Sequence, residues 1–404
     1  MSRARRAVSL LLSALTAAHV AASGTASREV RGLWVVRTSL SSPASVSAMV
    51  AAAREAGINT LIVQVRGRGD AYYASRLEPR PAALAAQPAS FDPLADVLRE
   101  GHAAGLAVHA WVNVNLVADA GDPPRDPRHV VNRHPEWLMV PMELAATVGD
   151  PHGRAFVRTL AAWTRRQSAT VEGLYTSPAT PGAADYLANV VQDLVTRYAV
   201  DGVHFDYVRY PGASFDYSRA ALRAFQDEVA PDLARADRAA LERKQRSNPL
   251  IWTQMYPRRW EGFRRARLTA LVRRLRTVVA RHRPDAIVSA ALVPDAQTAV
   301  NAKFQDWPAW VAGGLLDVLC PMTYATDNGV FRLQVQAVRE AAGGRPVWAG
   351  VGAYRLTPEE TLGQIEEARA LGVDGVLLFS YDSLVDPARG PDQLARIGAQ
   401  AFGQ

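Results

Sequence analysis

The chain holds a single cysteine, Cys320, which excludes an internal disulfide framework and any cysteine-based zinc site. It has no His-Glu-x-x-His run and no His-x-His in its first strand-like segment, which argues against zincins and amidohydrolases. A Gly-x-Ser-x-Gly elbow is also missing, and Cys320 sits inside an apolar run. A serine or cysteine nucleophile is therefore not expected. No glycine-rich phosphate loop follows the first strand-like segment, which disfavours an open dinucleotide-binding sheet. Beyond the N-terminus no apolar run approaches the roughly 20 residues that span a bilayer. The formal charge is +7, but basic and aromatic residues are nowhere interleaved in a patch, so no nucleic-acid partner is expected.

What is present is a globular composition, 49% hydrophobic and 21% charged over 404 residues. The first residues read Met-Ser-Arg-Ala-Arg-Arg, followed by an apolar stretch from Ala7 to Ala18 and then small residues up to Ala26. A basic start, a short apolar core and a small-residue site have the order of a secretory signal over residues 1–26. The apolar stretch is short for an anchor, and no cysteine follows it to carry a lipid. Cleavage would remove Arg3, Arg5 and Arg6 and no acid, lowering the charge from +7 to about +4. The expected destination is the cell envelope or beyond.

From residue 27 onward, short β-branched runs alternate with amphipathic helical runs. Strands are predicted at Val30–Val36, Asn59–Val65, Leu106–Val112, Gly202–Asp206, Ala286–Val293, Leu316–Met322, Pro346–Val351 and Gly375–Phe379. Glycine punctuates several helix-to-strand turns, as at Gly57, Gly105 and Gly372. Eight strand–helix pairs in series predict an α/β fold, a single (β/α)8 TIM-like barrel over residues 27–404. Two connections, at about 113–182 and 207–262, exceed the usual 2–6 residues. Both follow strands and so belong at the C-terminal face, where barrel enzymes build their sites. A charged helical stretch is predicted at Tyr217–Arg246 in the second.

Alternation along the third strand puts His109, Trp111 and Asn113 on one face and Val108, Ala110 and Val112 on the other. The polar set should point to the barrel axis. The second strand does the same with Gln64 and Arg66. The fourth, Gly202 to Asp206, carries His204 and Asp206 on one face, with Tyr207 and Arg209 just beyond. A carboxylate at the end of that strand fits glycosidic cleavage, in which an acid group meets a positively charged sugar transition state. Asp206 is therefore the first catalytic candidate, with Arg66 and Arg209 as its ionic partners or as substrate ligands. A second carboxyl is needed as proton donor. Asp295, Asp70, Asp382 and Asp327 follow strands, in that order of preference, and Glu136 lies in a long loop. Spacing does not choose among them.

Trp34, Trp111, Tyr72, Tyr73, Tyr207, Tyr324 and Tyr381 fall at or near strand ends. Aromatic faces bury large area at low entropy cost and suit the C–H faces of sugars. A metal reading would need His109 beside His204 and Asp206, and no resident metal or cofactor is expected.

Several ordered motifs carry a resemblance. They are Glu29-Val30-Arg31-Gly32-Leu33-Trp34, the segment Gln64 to Tyr73, Val108-His109-Ala110-Trp111-Val112-Asn113, His134-Pro135-Glu136-Trp137-Leu138, and Asp201 to Pro211. Gln305-Asp306-Trp307, Asp317 to Tyr324, and Val376 to Leu384 follow. In order and spacing the chain resembles the glycosyl-hydrolase-like family 10 barrels, secreted bacterial proteins distinct from the family 10 xylanases. The resemblance implies a TIM-like barrel, export and hydrolysis of a cell-envelope glycan, with the family's strand-four aspartate at Asp206. Three departures stand out, one of them Leu174-Tyr175-Thr176-Ser177-Pro178, a loose version of the family's Leu-(Asp/Asn)-Pro segment. Tyr207 follows Asp206 where family members often have a second acid, and Val288 to Asp295 lacks the usual fifth-strand motif.

The expectation is an exported, monomeric hydrolase of a polymeric glycan, with Asp206 as catalytic carboxylate. Trp34, Gln64, Arg66, Tyr73, Trp111, Asn113, His204, Tyr207, Arg209, Tyr324 and Tyr381 are expected around the substrate. The alternatives are a glycan-binding barrel without an acid pair and a metal-dependent hydrolase.

Overall fold

A computed structural model describes residues 29–153, 155–390 and 392–403. The signal read at residues 1–26 lies outside them.

Eight parallel strands close into a barrel: β1 (Val30–Val35), β2 (Thr60–Arg66), β3 (Ala107–Asn113), β4 (Gly202–Asp206), β5 (Ile287–Leu292), β6 (Val318–Thr323), β7 (Trp348–Val351) and β8 (Gly375–Phe379). Each pairs with its neighbours in sequence order, and β1 closes the ring on β8. The predicted strands fall at these positions, with ends moved by no more than two residues. The helices between them start on local signals. Ser42 and Thr357 form capping boxes ahead of Pro43 and Pro358, and Asp92 caps the helix that begins at Pro93. Gly57 and Gly105 take φ of +70° and +75° where a helix turns into the next strand, a conformation costly for any residue with a Cβ.

Alternation sorts the strand side chains as expected. Val108, Ala110 and Val112 join the large core between barrel and helices. Trp34, Ile62, Trp111, Val318, Cys320, Trp348 and Leu377 fill the inside of the barrel. These large rings fit because small residues face them. A Cβ on Gly350 would sit 2.9 Å from the Trp34 ring, and one on Gly202 2.4 Å from the His109 ring.

The two long connections build structure above the barrel mouth. After β3, an antiparallel ribbon pairs Leu116–Ala118 with Leu174–Tyr175. It covers a core of its own around Val131, Leu138, Phe156 and Leu160. After β4, helices at Arg219–Val229 and Arg235–Gln245 pack on Trp252, Trp260 and Phe263. The single helical stretch expected at Tyr217–Arg246 is thus two helices. The break falls at Ala230–Asp232, where Pro231 has no amide hydrogen to continue the ladder. The connections are stitched together by buried Asp216, which accepts hydrogen bonds from Val140 N in the first and from Ser218 N and Oγ in the second. Burial raises the Asp216 pKa against those hydrogen bonds, which lower it.

Candidate active site

Asp206 ends β4 in register with Asn113 at the end of β3. The next residue, Tyr207, takes φ of 48°, a left-handed conformation that is uncommon for an aromatic residue and is concentrated at functional sites. The turn keeps the chain bonded to β3's extension, through Val114 N to the Asp206 carbonyl at 2.7 Å. It also brings the Tyr207 amide to Asp206 Oδ1 at 2.5 Å. Arg209 donates to the same oxygen at 2.9 Å. Both bonds end on Oδ1, which leaves Oδ2 for a ligand. Burial works against the Arg209 charge, but Asp206 together with Tyr175, Tyr207 and Glu172 outweighs it and the guanidinium pKa is raised. Its Cζ lies 4.2 Å from the centre of the Tyr207 ring, which braces it from one side.

This carboxylate opens into a cavity of about 240 Å³. One wall is aromatic. Trp34, Tyr324 and Phe379 meet with ring centres 5.4–6.3 Å apart, and Trp111 meets Phe379 at 6.3 Å. The other wall is a hydrogen-bonded series. Arg37 donates to Gln64 Oε1 at 2.8 Å, Trp111 Nε1 donates to Asn113 Oδ1 at 2.8 Å, and Asn113 Nδ2 donates to the Gly67 carbonyl at 2.8 Å. Tyr324 stays a neutral phenol, its pKa raised well above the ordinary value by burial and then by Asp206.

The floor is held from below. Trp34 Nε1 donates to His204 Nε2 at 3.2 Å, so the His204 proton is on Nδ1, facing Ser289 Oγ at 2.9 Å. Burial, and then His109, lower the His204 pKa to about 3. His109, one layer deeper against Trp348, is lowered by burial to about 4. Both rings are neutral scaffold at neutral pH.

The residues expected around a substrate therefore divide. Trp34, Gln64, Trp111, Asn113, Asp206, Tyr207, Arg209 and Tyr324 line the cavity. Four others do not. His204 is fully buried beneath Trp34. Arg66 is buried and turned away, paired in a fork with Glu78 at 2.7–2.9 Å. Tyr73 packs edge-on against Tyr198 at 5.7 Å. Tyr381 starts a short helix after β8 and packs into the outer core. Arg37, Arg68, Met322 and Phe379 also line the cavity, and the sequence reading does not single them out. Arg37 and Phe379 carry the signal used for the others, since both stand at strand ends.

Among the described residues Asp206 is the one carboxylate in that lining. Asp295 caps the helix Ala296–Ala302 through Thr298 N at 2.7 Å. Thr298's side-chain and backbone hydrogen bonds lower its pKa, the wrong direction for a proton donor. Asp327 caps the helix Asn328–Ala341. Asp382 accepts from Val36 N, Thr38 Oγ1 and Ser39 Oγ at 2.6–2.8 Å, which fastens the loop after β1. Asp70 is different, because it lines a second cavity that shares Arg68 with the first. No three metal-ligating side chains stand together among the described residues.

A closed eight-stranded parallel barrel with an acid at a strand end in an aromatic-walled cavity has the architecture of the TIM-barrel glycoside hydrolases. Residues 29–355 match the family described as glycosyl hydrolase-like 10, and the chain belongs to that family. Glycosyl hydrolase DigH of Escherichia coli is 29% identical over 163 residues, covering 39% of this chain and 33% of DigH. Glycosyl hydrolase YngK of Bacillus subtilis is 27% identical over 162 residues, covering 38% and 26%. The matched region is thus about a third of the curated relatives' length or less. Among solved structures, the glycoside hydrolase domain of PgaB (BpsB) from Bordetella bronchiseptica superposes with a TM-score of 0.60 over 91% of this chain and 97% of that one. At 19% identity that likeness speaks for the fold alone.

Proposed function

We propose that this protein hydrolyses O-glycosidic bonds in a polymeric glycan, the glycan strands of the cell wall, with Asp206 as the catalytic carboxylate. The observation that carries the reading is the half-used Asp206 carboxylate. Oδ1 is fixed by Arg209 and the Tyr207 amide, Oδ2 accepts no hydrogen bond from the described residues, and the residue lines a cavity walled by Trp34, Tyr324 and Phe379. A fixed negative oxygen beside a sugar ring is what an oxocarbenium-like transition state requires. Trp34 and Tyr324 offer faces for the ring, and Asn113 and Arg37 sit where hydroxyls would be bonded. Asp70, across Arg68, is the acid best placed to protonate a leaving sugar, since it lines the adjoining cavity, whereas Asp295, Asp327 and Asp382 line neither cavity. Export follows from the basic, apolar and small-residue order of residues 1–26. A mildly basic protein would also concentrate near an anionic wall.

The lone carboxylate in the cavity lining favours one rival, a barrel that binds glycan without cutting it. Reducing ends released from peptide-free peptidoglycan strands, together with a pull-down on the same material, separate the two. The expected result is release by residues 27–404 and a loss of roughly 10²–10⁴-fold in Asp206→Asn, the usual effect of deleting an acid–base group. Binding without release by either protein supports the rival.

A further inference from the structure

The cavity around Asp206 is small for a polymer. Its volume of about 240 Å³ is below the roughly 300–1,000 Å³ of ordinary small-molecule sites, so it has room for little more than a sugar ring. A larger cavity of about 550 Å³ stands beside it. The two share Arg68 as a common wall. This outer cavity lies between the loop after β2, with Asp70 and Ala82, and the start of the connection after β3, with Asp122, Arg125 and His129. The two loops are tied together by His129 Nε2 against the Arg68 carbonyl at 2.7 Å. Arg68 makes no side-chain hydrogen bond or ion pair among the described residues, and its Nε is buried without a partner. The Asp122 and Arg125 side chains are likewise unpaired among the described residues and are exposed. An uncommitted carboxylate, Asp122, and the uncommitted guanidinium groups of Arg68 and Arg125 in one trench are hydroxyl-binding groups.

On the far side of the barrel mouth, the aromatic wall continues outward. Tyr354 follows β7 and is 37% exposed. Its ring meets Tyr324 at 5.8 Å and Phe379 at 5.6 Å, both edge-on. The guanidinium of Arg355 lies 6.0 Å from its centre. In the closed order of strands, β7 stands opposite β3. The outer cavity, Arg68, the Asp206 cavity and Tyr354 therefore fall along one line across the mouth.

We infer that this line is a single cleft open at both ends. A linear glycan crosses it, with flanking sugars on one side in the trench beyond Arg68 and on the other side stacked on Tyr354. The inference rests on the glycan reading above and adds that the protein grips the interior of a chain rather than its end. Sugar–aromatic contact at Tyr354 supplies affinity, and the trench supplies hydrogen bonds that a short ligand cannot reach.

The test uses the Asp206→Asn protein, so that ligands stay intact, and calorimetric titration with peptide-free glycan-strand oligomers from disaccharide to octasaccharide. Affinity should rise by at least roughly tenfold along the series, about what one further 1.4 kcal/mol of contact provides. Ala82→Trp, at an exposed position lining the trench, should bring the octasaccharide down towards the disaccharide. Tyr354→Ala should weaken it by roughly three- to tenfold, the scale of one aromatic contact. Unchanged melting temperatures confirm that both variants are folded. The wild-type protein is then assayed for cleavage of the octasaccharide. Length-dependent binding that both variants reduce supports the cleft, and it does so even if the wild type cuts nothing, which sinks hydrolysis alone. Affinity that is flat with length, or length dependence untouched by either variant, overturns the cleft while leaving a one-sugar hydrolase standing. No binding at any length overturns both.

Discussion

Two arginine–carboxylate pairs at the mouth of this barrel look alike in composition and differ in what they leave undone. Arg66 and Glu78 are fully buried, with side chains 1% and 0% exposed. Glu78 uses both oxygens on the Arg66 fork and also accepts from Tyr186. The remaining Arg66 nitrogen donates to the carbonyls of Asn113 and Val114. Burial opposes the Arg66 charge, but Glu78 together with Tyr186 and Tyr73 outweighs it and the pKa is raised. Arg209 and Asp206 are each 9% exposed, and every side-chain hydrogen bond to Asp206 from the described residues ends on one oxygen. A closed pair ties loops together, whereas an open pair keeps a charged oxygen oriented and available. Saturation of hydrogen bonding, more than burial or residue type, separates scaffold from site here.

The comparison can be broken by cutting each pair on its carboxylate side. Asp206→Asn should lose roughly 10²–10⁴ in turnover, equivalent to about 3–5 kcal/mol of barrier, with a smaller fall in the urea midpoint than Glu78→Gln because the Arg209 pair is partly open to solvent. Retained turnover would remove Asp206 from the chemistry. Glu78→Gln should do the reverse. It strands a buried guanidinium and should cost about 3–5 kcal/mol of stability, read as a fall in the urea midpoint. An Asp206→Asn variant as destabilised as Glu78→Gln would erase the distinction.

The barrel interior sharpens the contrast between scaffold and mouth through pH. His109 and His204 have folded pKa values of about 4 and about 3, below the ordinary value near 6.5. As pH falls through about 6.5 the unfolded chain takes up protons first, so stability is full above that pH and is lost progressively toward about pH 4. His109 alone accounts for about 3 kcal/mol over that span, at roughly 1.4 kcal/mol per pKa unit. Unfolding free energies measured from about pH 7 to about pH 4 should therefore slope downward, and His109→Leu should flatten part of the slope. A slope identical in the variant would show that His109 is not held neutral by burial. The smallest effect belongs to Asp295, which caps a short helix. Asp295→Ala should cost about 1 kcal/mol of stability and leave reducing-end release unchanged. A large loss of release instead would make Asp295 the missing proton donor.

Much of this molecule is legible in one dimension. The alternation of His109, Trp111 and Asn113 against Val108, Ala110 and Val112 has a period of two and needs no partner to be read, and it predicts which face of β3 turns inward. The same rule, applied at the strand ends, picks out Trp34, Gln64, Asn113, Asp206 and Arg209 around one cavity. It extends to Arg37 and Phe379, which obey it although the sequence reading leaves them out. It misplaces Arg66 because a bulge in β2 shifts the register between Gln64 and Arg66, so that Arg66 pairs with outward-facing Val112 and turns to Glu78. It also ranks Asp295 ahead of Asp70 and keeps Asp382 and Asp327 among the candidates. An aspartate before a helix is the ordinary cap residue, and only the fold shows that Asp295, Asp382 and Asp327 line neither cavity at the mouth while Asp70 lines one.

Local periodicity and chain order were enough to set the class of fold, the inward face of β3 and the position of Asp206 at the end of β4. They did not reach the question of which charged groups are saturated and which are left open. Nor did they show that His204 lies beneath Trp34 rather than beside a ligand, or that Arg68 joins two cavities. Each of these depends on residues from separate strands and loops meeting at hydrogen-bond distance in the folded chain, and no local pattern along the chain encodes that meeting.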